Sequence, residues 1–140
     1  MIQLIVAEKG HGKTKFLLEK VSEAANSARG NVVFIDNDLS HIYEIKNTVR
    51  FVNVSDYKIN GAQEFYGFVS GIISADHDLE QIFIDKLLII SSLKSPVDAV
   101  ELLHKLDEIS TKCDVSLTIS FTGKKEDLPK DLQEKVLDFA

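Results

Sequence analysis

Residues 7–14 form the octapeptide Ala7-Glu8-Lys9-Gly10-His11-Gly12-Lys13-Thr14. Its spacing is that of a phosphate-binding loop: alanine or glycine, four variable residues, then glycine, lysine and a serine or threonine. Two glycines let successive backbone N–H groups turn toward one anion and let the chain approach it closely. Lys13 would reach the β- and γ-phosphates, and the Thr14 hydroxyl is a ligand for Mg²⁺. The octapeptide and the next residue, Lys15, are therefore the predicted nucleotide-binding residues.

The residues on either side of the octapeptide predict a strand and a helix. Before it, Ile2, Leu4, Ile5 and Val6 are typical of a short buried strand. After it, apolar residues recur at helical spacing, namely Phe16, Leu17, Leu18, Val21 and Ala24 or Ala25. This order suits a phosphate loop, because the N-terminal end of a helix carries a partial positive charge.

Length and composition predict one domain that does not bind nucleic acid. A chain of 140 residues with 44% hydrophobic content can bury one core and is too short for two ordinary domains, so residues 1–140 are expected to form one. Its 22 acidic residues outnumber 16 basic ones, and a net charge of −6 argues against a surface for nucleic acid.

The N-terminus and the cysteine content indicate a cytoplasmic protein. The first apolar stretch spans about six residues without a preceding basic region, which is too short for a signal peptide or a membrane span. Cys113 is the only cysteine, so no internal disulfide can form. We expect Cys113 to be a buried structural thiol in a reducing compartment.

Along the rest of the chain, strand-like apolar runs alternate with helical patterns, which is typical of a parallel sheet covered on both faces. Further strands are predicted at 32–35, 51–54, 81–85 and 115–120, with 136–139 as a candidate edge strand. Helices are predicted after a Ser40 cap, after Gly61, from Ser95-Pro96 and over 128–135. Gly67 and Gly71 lie four apart on a predicted helix and would permit close packing on the sheet or on a partner, and we expect the sheet to be the neighbour. The prediction is a three-layer α/β fold with a mostly parallel sheet of five or six strands and helices on both faces.

Asp85 is the second chemical landmark of the sequence. It ends an Ile-Phe-Ile-Asp run with the form of a Walker B strand, in which apolar residues hold the strand in the sheet and the carboxylate emerges at its end. There it is suited to bind Mg²⁺ opposite Thr14. Thr14 and Asp85 are the predicted metal-binding residues.

With these two motifs, the chain resembles the P-loop NTPase superfamily over most of its length. Two connections separate the loop-bearing strand from the Asp85 strand, which suggests that at least one strand lies between them in the sheet. That arrangement is similar to RecA-like and other additional-strand ATPases. The chain also resembles small single-domain bacterial ATP-binding proteins of unknown role. The resemblance implies ATP or another nucleoside triphosphate and Mg²⁺ as cofactors.

The sequence departs from this family where water would be activated. Many ATPases of the branch have a glutamate directly after the Walker B aspartate, and this chain has Lys86. In RecA-like enzymes the carboxylate comes from the end of the second strand, where Asp36 and Asp38 stand, although Asp-Asn-Asp is also ordinary turn sequence. Ser120 and Thr122 occupy the position of a polar sensor residue, although hydroxyl groups are common at strand ends.

Two other branches of the superfamily match the sequence less well. A GTPase would have an Asp-x-x-Gly motif at Asp85, but residues 85–88 lack the glycine. It would also have a later Asn-Lys-x-Asp motif, and residues 124–127 lack the asparagine. A small-molecule kinase closes an arginine-rich lid over the transferred phosphate, and the chain contains only Arg29 and Arg50.

Two functions therefore remain open. The first is Mg²⁺-dependent ATP binding with slow hydrolysis, using Lys13, Asp85 and either Asp36 or Asp38 as catalytic residues. The alternative is a regulatory module that responds to nucleotide without hydrolysing it and acts through a protein partner or a second copy of the chain. Both use the same site.

Overall fold

The computed structural model describes residues 1–139; Ala140, the last residue of the predicted domain, lies outside the described residues. The strands are β1 (Ile2–Ala7), β2 (Asn31–Asp36), β3 (Val49–Asn53), β4 (Leu79–Ile84) and β5 (Ser116–Thr122). The helices are α1 (Lys13–Ser27), α2 (Ala62–Ser74), α3 (Leu87–Ile90), α4 (Val100–Cys113) and α5 (Lys130–Gln133). Single 3₁₀ turns occupy Ile42–Glu44, Val54–Asp56, Pro96–Ala99 and Lys125–Asp127.

The five strands form one parallel sheet in the order β1-β5-β4-β2-β3. Strand β5 thus lies between β1, which leads into the octapeptide, and β4, which leads to Asp85. The prediction of a strand between them is confirmed. Because all strands run the same way, their carboxyl ends meet at one edge of the sheet.

Two cores cover the two faces of the sheet, because successive side chains of a strand point to opposite faces. In β2, Val33 and Ile35 join the core under α2 and α4, whereas Val32 and Phe34 join the core under α1. Helix α1 contributes Leu17, Val21 and Ala24 to its core, at the predicted helical spacing. Each fully buried Leu, Ile or Phe side chain stabilises the fold by about 1.5–3 kcal/mol. The predicted three-layer α/β fold is confirmed.

The candidate edge strand at 136–139 is a single bridge rather than a strand. The Leu4 amide donates to the Lys135 carbonyl oxygen (2.9 Å), and the Leu137 amide donates to the Leu4 carbonyl oxygen (2.8 Å). Only Leu4 and Val136 are paired, in parallel, on the outer side of β1. Among residues 1–139 the sheet therefore has five strands, at the lower of the two predicted numbers.

Three local predictions are wrong. Ser40 caps no helix, because its amide (2.9 Å) and hydroxyl (2.6 Å) both donate to Asp38 Oδ1 and form a turn. Gly67 and Gly71 lie on the outer side of α2, where a Cβ at either position would have no atom within 4 Å. Cys113 is exposed, because it is the last residue of α4, where the chain turns through Asp114 toward β5.

Candidate functional site

The loop between β1 and α1 has the conformation that its glycines were predicted to permit. Gly10 has φ 86° and Gly12 has φ 81°, both in the left-handed region that residues with a Cβ avoid. Gly12 immediately precedes α1, and residues 8–12 are exposed. The backbone of the loop therefore requires glycine at these two positions, while its variable residues face solvent.

The Lys13 side chain folds back across this loop. It is the first residue of α1, and its Nζ donates to the Glu8 carbonyl oxygen at 3.1 Å. Burial lowers the pKa of Lys13 below its ordinary value, and the charge of Asp85 opposes part of that shift. The ammonium group thus lies between the loop backbone and the carboxylate at the end of β4.

Thr14 and Asp85 are in direct contact. The Thr14 hydroxyl donates to Asp85 Oδ2 at 3.0 Å, and the Ser120 hydroxyl donates to the other oxygen, Oδ1. Asp85 is 1% exposed, and its own amide donates to the Ile35 carbonyl oxygen at 3.0 Å. A carboxylate with both oxygens engaged is held in one orientation.

Strand alternation explains why these side chains meet. Ile84 pairs with Ile119 and with Ile35, so the residues that follow them, Asp85, Ser120 and Asp36, come side by side at one end of the sheet. The three isoleucines point to the face under α2 and α4. The residues that follow them therefore point to the opposite face, under α1. Thr14, in the first turn of α1, closes the site from that side.

Lys86 holds both carboxylates that were predicted to orient water. Its Nζ lies 3.0 Å from Asp36 Oδ1 and 3.6 Å from Asp38 Oδ2. Asp36 is fully buried, and its Oδ1 also accepts the Asn37 amide at 2.7 Å. The structure therefore brings Asp36 beside Asp85, and it places an ammonium group on Asp36 and, more distantly, on the partly exposed Asp38.

The pKa values of Asp36, Asp38 and Lys86 are all shifted in this cluster. Burial raises the pKa of Asp36, although the Asn37 amide and Lys86 oppose the rise. Burial alone would lower the pKa of Lys86, but its contacts with Asp36 and the charges of Asp85 and Asp38 outweigh it, so that pKa is raised. Hydrogen bonds from Ser40 lower the pKa of Asp38. Lys86 therefore stays charged at neutral pH.

A cleft of about 260 Å³ opens beside the cluster. Its wall contains three lysines, Lys13, Lys86 and Lys94. It also contains Thr122 and the apolar Phe121. Lys13 belongs to the octapeptide, so the cleft adjoins the loop. Three lysines line this cleft, which favours an anionic ligand.

Comparison with known proteins finds a solved structure of similar fold but no matching protein family. No family model matches the chain, and no curated protein matches it. Among solved structures, it is similar to the flagellar accessory protein FlaH from Methanocaldococcus jannaschii, with a TM-score of 0.59 and 13% sequence identity. The match covers 95% of this chain and 65% of the FlaH chain, so this chain spans about two thirds of FlaH. At this identity the similarity concerns the fold alone.

No helix within residues 1–139 combines the length and the apolar character needed to cross a bilayer. Those residues also contain no cluster of three or more His, Cys, Asp or Glu side chains arranged to hold a metal ion. The Thr14 hydroxyl and the Asp85 carboxylate nevertheless fit Mg²⁺, which commonly takes one or two protein oxygens and completes its shell with phosphate oxygens and water.

Lys86 is the site residue that the sequence argument missed. The family pattern has glutamate at this position, so the lysine by itself indicates only a departure from that pattern. The available signal was a lysine at the end of one strand and the Asp36-Asn37-Asp38 run at the end of another. Only their adjacency in the sheet, β4 beside β2, makes them partners.

Proposed function

We propose that this protein binds a nucleoside triphosphate, most simply ATP, together with Mg²⁺ and that residues 7–15 form the nucleotide site. The observation that carries the proposal is the 3.0 Å hydrogen bond between the Thr14 hydroxyl and Asp85 Oδ2. The two motifs are far apart in the sequence, and a phosphate loop needs its hydroxyl and its acidic partner at one metal position. Their contact supports a common role.

In this proposal each part of the site has one task. Backbone N–H groups of the glycine loop and the N-terminal end of α1 hold the phosphates. Lys13 neutralises charge on the β- and γ-phosphates. Thr14 and Asp85 hold Mg²⁺, which when bound would neutralise phosphate charge and orient the triphosphate. Ser120 keeps the Asp85 carboxylate in place through its hydrogen bond to Oδ1.

Hydrolysis by the isolated chain would be slow. Asp36 and Asp38, the candidates for orienting water, both lie near the Lys86 ammonium. Arg29 precedes β2 and Arg50 lies near the start of β3, so both arginines are at the end of the sheet opposite the loop. Neither arginine is placed to neutralise charge that develops on a transferred phosphate, a contribution worth about 10³–10⁵ in rate where it is present.

The same observations favour a second candidate function. A protein that binds ATP tightly but hydrolyses it little can act as a nucleotide-responsive module, in which occupancy changes affinity for a protein partner or a second copy of the chain. A cytoplasmic location with cellular ATP fits both functions. The two differ in turnover and share the binding step.

The binding step is tested with Lys13→Ala. Thermal unfolding is followed with and without Mg²⁺-ATP for the wild-type protein, Lys13→Ala and the matched charge control Lys112→Ala, an exposed residue at the end of α4. We expect ATP to raise the melting temperature of the wild type and the control, and to leave that of Lys13→Ala unchanged. An equal ATP response in Lys13→Ala would overturn the proposal.

A further inference from the structure

The Lys86 side chain lies between two carboxylates and a lysine-lined cleft. On one side are Asp36 Oδ1 at 3.0 Å and Asp38 Oδ2 at 3.6 Å. On the other side is the cleft of about 260 Å³, whose wall Lys86 shares with Lys13. The Lys86 side chain is 28% exposed and lines the cleft, while its ammonium group contacts the buried Asp36 carboxylate.

The Asp36 carboxylate is only half satisfied. Its Oδ1 accepts from Asn37 and Lys86, whereas its Oδ2 is buried and has no hydrogen-bond partner among the described residues. A buried acceptor without a donor destabilises the fold. Asp36 therefore depends strongly on the Lys86 charge, and it retains an oxygen with which to accept a further donor.

The backbone of Lys86 is held in an uncommon conformation. Its φ of 58° and ψ of 52° lie in the left-handed region, which is strained for a residue with a Cβ. The Lys86 amide donates to the Ser120 hydroxyl at 3.0 Å, and that hydroxyl donates to Asp85. The strained residue is thus tied to the carboxylate that we propose holds Mg²⁺, and local strain of this kind is characteristic of functional positions.

We propose that Lys86 is a sensor of the terminal phosphate, whose ammonium moves from Asp36 and Asp38 to the γ-phosphate of a bound nucleoside triphosphate. This inference rests on the proposed function and adds how the site distinguishes a triphosphate from a diphosphate. A lysine has a flexible four-carbon side chain and three donors, so it can exchange one anionic partner for another without backbone movement. Its departure leaves Asp36 free to accept a hydrogen bond from water or from a neighbouring group.

The test compares the affinities for ATP and for ADP, each with Mg²⁺, measured by titration calorimetry on the whole chain. The variants are Lys86→Met, Lys86→Arg and the charge control Lys112→Met. A charge-assisted contact to the γ-phosphate predicts that Lys86→Met loses roughly 10- to 100-fold of the preference for ATP over ADP. Lys86→Arg and Lys112→Met are expected to keep most of it. If Lys86 had only a structural role, Lys86→Met would weaken the binding of ATP and of ADP by the same factor.

Asp36→Asn gives a second test with the opposite sign. Removing the carboxylate that competes for Lys86 should strengthen ATP binding relative to ADP binding. The double variant Asp36→Asn/Lys86→Met should show the same ratio of ATP to ADP affinity as Lys86→Met. Circular dichroism shows whether each variant folds. If Lys86→Met does not fold, the Asp36→Asn result decides alone, and if Asp36→Asn does not fold, the Lys86→Met result decides alone. An ATP-to-ADP ratio that stays at the wild-type value in Lys86→Met or in Asp36→Asn overturns the sensor while leaving nucleotide binding intact. A wild-type protein that binds neither nucleotide overturns the proposed function and the sensor with it.

Discussion

The Thr14 hydroxyl donates a 3.0 Å hydrogen bond to Asp85 Oδ2 and thereby joins the first turn of α1 to the end of β4. Thr14 lies in the first turn of a helix and Asp85 follows a buried strand, so local sequence alone does not bring them into contact, although the two motifs predict them at one metal site. Their contact places a hydroxyl and a carboxylate at one position beside Lys13.

Replacing Asp85 with asparagine should remove most of the Mg²⁺ dependence of ATP binding. The substitution keeps the shape of the buried side chain but removes the negative charge that attracts the cation. We expect affinity for ATP in Mg²⁺ to fall roughly 10- to 100-fold, with little change in EDTA. Titration in both buffers provides the measurement, and Asp138→Asn, an exposed site, is the matched control. An unchanged Mg²⁺ effect in Asp85→Asn would remove this residue from the metal site.

Phosphate release separates the enzyme from the regulatory module. It is measured with Mg²⁺-ATP for the wild type, Asp85→Ala and Asp36→Ala. If the chain is a slow ATPase, turnover disappears in Asp85→Ala and drops in Asp36→Ala, because a water-orienting carboxylate is lost. Tight ATP binding by a wild type that releases no phosphate would instead support the module. Background release equal in all three proteins, with no binding, would contradict both functions.

Gly12→Ala should damage the loop without disturbing the core. A Cβ at this position has room, with no atom within 4 Å, but the φ of 81° is strained for alanine by about 1–2 kcal/mol. We expect the loop to relax and ATP affinity to decrease, while the unfolding transition remains cooperative. ATP titration and urea unfolding of the same samples test this. Undiminished ATP affinity would show that the left-handed conformation at Gly12 is not needed for binding.

Gly30→Ala and Gly67→Ala should change stability in opposite directions. A Cβ at Gly30 would lie 2.2 Å from the Asp78 carbonyl oxygen, a backbone atom that cannot move aside cheaply, so a loss of about 1–3 kcal/mol is expected. At Gly67, in the open outer side of α2, alanine should stabilise the helix by about 0.5–1 kcal/mol. Urea unfolding measures both free energies. A destabilising Gly67→Ala would mean that α2 packs against something on that side.

Much of the fold was predictable because its causes are local. The alternation of apolar strands and amphipathic helices follows from residue spacing, and the strand at Val32–Ile35 and the helix after Gly61 lie where the spacing placed them. Predictions failed where the local sequence is compatible with two different structures. Ser40 bonds to Asp38 instead of capping a helix, and Val136 makes one bridge instead of a strand. In both cases the result depended on which partner came within reach.

By itself the sequence determined the α/β class, the glycine loop at residues 10–12 and the carboxylates at the strand ends, because glycine content, residue spacing and strand ends are properties of short segments. Only the tertiary structure decided which of these groups meet. The order of the sheet places β4 between β5 and β2, so that Asp85 contacts Ser120 and Lys86 contacts Asp36. Strand order follows from packing of the whole chain, and the partners in such a site are therefore set by global contacts rather than by neighbouring residues.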